Sequence, residues 1–197
     1  MFTVIEIIVL FHPSCYNHPM SDFGVWLDDL STKPLPGAVA AAAVAAAMGA
    51  ALIAKTARII LRRQELDSAS RDTLQALLNL AERQRAALID LADADQRAYR
   101  AVLEAQSLPA SAPARTRAWL QATETPIRIA EACRSLLECT SPLLETCWPA
   151  VCPDPEIGIW LMETGMRSGQ AAAESNMRAC GDAPEARSLR LRIDALK

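Results

Sequence analysis

Leu35-Pro36-Gly37-Ala38-Val39-Ala40-Ala41-Ala42-Ala43-Val44-Ala45-Ala46-Ala47-Met48-Gly49-Ala50-Ala51-Leu52-Ile53-Ala54 carries no charged residue, and the fold turns on how this run is read. An apolar run of eighteen or more residues can cross a bilayer, with Lys33, Lys55 and Arg58 as its flanks. Alanine, however, gains little on entering lipid, and a helix apolar on all sides serves equally as the central strut of a soluble bundle. Small side chains let neighbouring backbones approach closely. The run is therefore read as the buried helix of an all-α fold, an orthogonal bundle of long helices around this Ala-rich element.

The flanking sequence agrees. Upstream, Phe23, Trp26, Leu27 and Leu30 fall at i, i+3, i+4 and i+7, the pattern of a short amphipathic helix. Lys33-Pro34-Leu35-Pro36-Gly37 then breaks it, because proline fixes φ and restricts the residue before it. Downstream, Asp67 or Ser68 can cap a helix that continues through Leu74, Leu88 and Val102 to Leu108-Pro109, long enough to predict a bend or a break. Ser111-Ala112-Pro113 opens a helix that meets Pro126 midway, where a kink is expected, and runs on to Ser141-Pro142. A looser proline-containing segment precedes a helix from about Glu156 to Cys180, and a charged helix closes the chain from Pro184 to Lys197. No stretch alternates with period two for long enough to make a sheet.

Residues 1–19 differ in character. Val4 to Phe11 is apolar and β-branched, and no basic segment marks a signal peptide. They are read as a disordered leader or a mis-assigned start, with residues 20–197 as one helical domain. They also hold both histidines, His12 and His18, which leaves acid–base work to carboxylates and removes most routes to a His-bound metal.

With 20 basic and 23 acidic residues, net charge −3, no long-range field draws the chain to nucleic acid or an anionic membrane. Six cysteines, at 15, 133, 139, 147, 152 and 180, contain no C-x-x-C pair. A chain of this size does not need staples, so the thiols are read as reduced in a cytoplasmic protein, although Cys147 and Cys152 could be neighbours.

Several polar residues can carry chemistry, and each has a plainer structural reading. Asp90, Asp93 and Asp95 cluster with Tyr99 one turn beyond Asp95, either a solvated acidic face or a carboxylate set against an aromatic ring. Asp154 can be a helix N-cap. Asn176 can be a surface amide. Arg58, Arg62 and Arg63 can offset the C-terminal pole of the Ala-rich helix, or hold a carboxylate by paired N–H donors.

Together these segments resemble the formiminotetrahydrofolate cyclodeaminase and methenyltetrahydrofolate cyclohydrolase family over about residues 23–180. The likeness rests on Trp26-Leu27-Asp28-Asp29-Leu30, on the Pro34-Leu35-Pro36-Gly37 turn and on Ala47-Met48-Gly49-Ala50-Ala51-Leu52. It continues in Asp95 and Tyr99 with Leu108-Pro109, in Thr123-Glu124-Thr125-Pro126, in Pro153-Asp154, in Gly165-Met166-Arg167-Ser168 and in Asn176. Where the family has glycines and a serine after the Pro-Gly turn, this chain has Ala38, Val39 and Ala40. Family Asn, Thr and Gly-Lys positions are Arg58, Ile60 and Arg62-Arg63, and an earlier Asn is Ala172.

The resemblance implies a homodimeric bundle that binds a tetrahydrofolate derivative as substrate near the subunit contact, with no metal, nucleic acid or membrane involved. It implies Asp95 as the catalytic base, with Asp154, Asn176 and Gly37 at the substrate and Arg62 or Arg63 at its glutamate tail. Such an enzyme would be a lyase or a hydrolase of one-carbon metabolism. Two other readings stay open: an inactive dimeric relative serving as a folate-binding or assembly subunit, and a membrane-anchored helical protein without a folate connection.

Overall fold

The computed structural model describes residues 20–63, 65–109, 112–180 and 183–197, and all regular structure in them is helical. The chain divides into two compact units, Met1–Pro36 and Gly37–Lys197. In the first, helix α1 (Ser21–Thr32) is the amphipathic segment the sequence predicts. Phe23 and Trp26, one turn apart, stack with ring centroids 5.8 Å apart, and the Lys33 N–H closes the last turn on Asp29 O at 2.8 Å. The expectations for Val4 to Phe11, both histidines and Cys15 lie outside the described residues.

The second unit contains α2 (Ala38–Leu61), α3 (Ser68–Ala105), α4 (Pro113–Leu137), α5 (Ser141–Thr146), α6 (Pro153–Cys180) and α7 (Ala186–Ala195). The Ala-rich run becomes α2, and Ala43, Ala46, Ala50, Ile53, Ala57 and Ile60 form its buried spine. Its charge-free composition favours helix as well as burial, since alanine loses the least entropy on becoming helical. By length and composition it is also the one described helix that could cross a membrane.

Helix α3 does not break. It runs 38 residues because Ser68–Ala105 contains neither glycine nor proline and is rich in Ala, Leu, Arg and Gln. Asp67 caps it, its carboxylate accepting the Ser70 N–H at 2.9 Å. It runs antiparallel to α2 and serves both of that helix's poles. Near its start, the Arg71 guanidinium donates to Leu61 O at 2.8 Å and Arg63 O at 2.9 Å, at the end of α2. Near its own end, the Asp95 carboxylate faces the Ala40 N–H in the first turn of α2. Opposite charges thus meet opposite poles of the α2 macrodipole. Arg58 in the last turn and Arg62 at the C-cap place positive charge at the C-terminal pole as expected, and Arg71 adds the direct hydrogen bonds. Arg58 also pairs with Glu82, and Arg63 with Glu65, each at 2.8 Å.

Glycines set the spacing between α2, α4 and α6. A Cβ on Gly49 of α2 would stand 2.5 Å from the Gly158 carbonyl oxygen of α6, and one on Gly165 would stand 2.6 Å from the Ala46 Cβ. These pairings make α6 antiparallel to α2. Gly49→Ala is therefore expected to cost about 1–3 kcal/mol, because a backbone oxygen cannot rotate away as a side chain can. A lowered melting temperature by circular dichroism is the readout, and an unchanged melt would contradict this packing.

Helix α7 is secured by buried Leu189 and Ile193 and by Arg192, which donates to both Glu131 oxygens at 2.8 Å and to Glu124 at 2.7 and 2.9 Å. One cysteine expectation is corrected: Cys147 and Cys152 form a disulfide. The turn between them, closed by Val151 N–H and Cys152 N–H on Trp148 O, brings their Cα atoms to 5.5 Å. Cys133, Cys139 and Cys180 are free.

Candidate functional site

Asp95 is the one buried acidic residue among those described, 8 % exposed on the face of α3 that meets the start of α2. Burial pushes its carboxyl up to about 6, while the nearby Ala40 N–H opposes that rise by favouring the ionised form. The group is thus close to the pKa at which a base is both mostly ionised at neutral pH and still basic. A carboxylate has two oxygens with several acceptor positions, so the nearby backbone donor leaves room for more. Tyr99 follows one turn later, and helical aromatic side chains lean back over the preceding turn. Tyr99 packs against the buried cluster formed by Val102, Ala105, Ala118 and Ala122.

Gly37 precedes the first turn of α2 as its N-cap, with φ −105° and ψ −174°, and a Cβ there would meet nothing within 4 Å. Its backbone does not require glycine, so the residue supplies open space beside the helix terminus. Ala38, Val39 and Ala40 continue directly as helix, which explains how a β-branched residue is accommodated in the altered turn: Val39 is helical and packs on the core. Asn176, near the end of α6, lies on the same side of the unit. Its Nδ2 donates to Ala122 O at 3.0 Å.

Asp154, Arg62 and Arg63 lie elsewhere. Asp154 is in the first turn of α6, beyond an N-cap position, and pairs with Lys55 at 2.7 Å. Lys55 is fifteen residues along α2 from Ala40, about 22 Å at 1.5 Å per residue, and Arg62 is about 33 Å away. Arg63 sits over the Trp148 ring at 5.1 Å, and Arg62 is exposed. Within one chain, Asp95, Gly37 and Asn176 therefore gather at one end of α2, and Asp154, Arg62 and Arg63 gather at the other. The sequence reasoning missed two contributors: the Ala40 N–H, a backbone group with no side-chain signal, and Lys55, read only as a flank.

Among the described residues, the buried thiols nearest this bundle core are not activated as nucleophiles. Burial pushes the Cys133 thiol up to about 12, which keeps it protonated at neutral pH. Among the described residues, no three His, Cys, Asp or Glu side chains gather as a metal site would need.

A raised, buried carboxylate seated on a helix N-terminus in an all-α bundle is the equipment of an acid–base site. The family model described as formiminotransferase-cyclodeaminase matches residues 23–195, and the chain belongs to that family. It is similar to a methenyltetrahydrofolate cyclohydrolase of Methylorubrum extorquens, 27% identical over 166 residues that cover 80% of this chain and 79% of that one. Its fold is that of the formiminotetrahydrofolate cyclodeaminase of Thermotoga maritima, with a TM-score of 0.79, 19% identity, and coverage of 92% of this chain and 89% of that chain.

Proposed function

We propose that the protein is an enzyme of tetrahydrofolate one-carbon chemistry, a cyclodeaminase or cyclohydrolase, with Asp95 as its base. The observation that carries this reading is the Asp95 carboxyl, raised to about 6 by burial beside the N-terminus of α2. In the cyclohydrolase direction, water adds to the methenyl carbon and gives one proton to Asp95, which passes it to the ring nitrogen as that carbon–nitrogen bond opens, while the second water proton goes to solvent as the formyl carbonyl forms. In the cyclodeaminase direction, N10 attacks the carbon of the protonated formimino group, and the proton that N10 sheds joins the departing nitrogen, which leaves as ammonia. Gly37 leaves space for the substrate beside Asp95, and Asn176 orients it. The family match from 23 to 195 supports treating residues 20–197 as one functional domain.

Asp154, Arg62 and Arg63 join this site only across a two-fold axis, so the proposal includes a homodimer. Helix α2 is apolar throughout its first two-thirds, yet only 44% of its most apolar window is buried. Among its incompletely buried positions, Ala41, Val44, Met48, Leu52 and Lys55 fall at the spacing of a helix–helix seam, with Ala45 and Ala51 beside them. Met48 and Ile157 each precede a glycine at the α2–α6 contact. In an antiparallel pair both therefore turn to the same side, where Trp160 joins them. These three side chains are 45%, 44% and 62% exposed. The seam ends in Lys55, Arg58 and Arg62, so parallel pairing would stack like charges and antiparallel pairing avoids it.

Turnover tests the reading. The purified protein is expected to bleach the near-ultraviolet absorbance of 5,10-methenyltetrahydrofolate, or to generate it from the formimino form. Binding without turnover in either direction would favour the inactive-subunit reading, for which the lost glycines speak.

A further inference from the structure

Pro126 lies inside α4, and its missing N–H leaves the Ala122 carbonyl, four residues earlier, without a helical donor. Ala122 is buried, so this carbonyl cannot turn to bulk water, and an unpaired buried acceptor is costly. The vacancy is filled from another helix, by Asn176 Nδ2 at 3.0 Å. Close approach of the two helices makes this possible: a Cβ on Gly169 of α6 would stand 2.5 Å from Pro126 O. A carbonyl only accepts, so the amide orientation is settled by chemistry. Nδ2 faces Ala122, and Oδ1 must face away.

Among the described residues nothing donates to Oδ1, and it is not sealed from solvent, because the one buried side-chain oxygen or nitrogen without a partner is Thr56 Oγ1. Ala122 belongs to the cluster on which Tyr99 packs, one turn from Asp95. We propose that Asn176 presents Oδ1 as an acceptor of fixed direction for an N–H group of the bound heterocycle, its amide locked by the carbonyl that Pro126 opens. Asn176 is thus a positioning residue that selects a donor edge, and Pro126 acts through it. This rests on the folate reading above; a reduced pterin offers such N–H donors.

The test is a double-mutant cycle of Asn176→Ala and Pro126→Ala, read by thermal melts and by KM and kcat for 5,10-methenyltetrahydrofolate. N176A alone is expected to lower the melting temperature and raise KM. In P126A/N176A, the backbone N–H regained at position 126 fills the Ala122 carbonyl, so the melt recovers toward that of P126A. KM stays raised about tenfold with kcat little changed, the loss of one ligand hydrogen bond. Recovery of KM together with the melt would overturn the ligand role. Strictly additive melting shifts would overturn the lock. If the parent neither binds nor turns over methenyltetrahydrofolate, the folate reading fails and the ligand role falls with it, while the melts still decide the lock on their own.

Discussion

Asp95→Asn is expected to lower turnover by about 10²–10⁴, the usual contribution of a positioned base, while leaving the fold intact. Asparagine has nearly the same shape and keeps an acceptor oxygen facing the Ala40 N–H. The same substitution should make the protein more stable in alkaline solution. Burial raises the Asp95 carboxyl from 3.8 to about 6, so between these values the folded state holds a proton that the unfolded chain releases. The folded protein thus loses stability as pH climbs through this window, and the cost stays constant above it. Removing the charge cancels as much as about 3 kcal/mol of that cost at pH 8 and little at pH 4. Paired melts of parent and variant at pH 4, 5, 6 and 8 read the difference directly. In the parent, kcat/KM should rise through a limb near pH 6 and then level off. A variant as active as the parent would remove Asp95 from the chemistry, and a flat stability difference across pH would refute its burial.

Much of this was legible in the sequence because it is written in periodicity and breakers. The charge-free run became α2, the Phe23–Leu30 pattern became α1, and the absence of alternation meant the absence of strands among the described residues. Of the bend or break expected in α3, the break did not occur, since length alone does not end a helix that lacks proline, glycine and a competing cap. What meets the poles of α2 was illegible for a different reason. Asp95 and Arg71 reach its poles from a helix that follows it in sequence, and such contacts depend on an antiparallel register that no local pattern encodes. The separation of Asp154 from Asp95 had the same origin. The resemblance implies both residues in one site, and only the antiparallel course of α6, pinned by Gly49 against Gly158, places Asp154 beside Lys55. The disulfide likewise depends on a turn whose hydrogen bonds are backbone to backbone, which cysteine spacing does not report.

Met48→Glu is expected to split the proposed dimer and abolish activity together. A two-fold axis makes a seam self-complementary, so residue i of one copy meets j of the other and j meets i. With the axis at Met48, Lys55 and its partner Asp154 lie alongside Ala41 of the second copy, next to the backbone that holds that copy's Asp95. The 22 Å separation within a chain then closes between chains. A glutamate at the axis brings two carboxylates face to face in an apolar seam and should weaken association by more than about a thousandfold, equivalent to about 4 kcal/mol. In sedimentation the variant should run as a 21.3 kDa monomer, at concentrations where the parent is dimeric. Shared sites make a sharper test possible. Asp95→Asn and Asp154→Asn proteins, each inactive alone, should regain about a quarter of parental activity when co-refolded, since half the dimers are mixed and each mixed dimer has one intact site. A parent that is monomeric and active, or that stays in solution only with detergent, would show that something other than a second copy covers the α2 seam. A dimeric mixture without recovered activity would show that Asp95 and Asp154 do not serve one substrate.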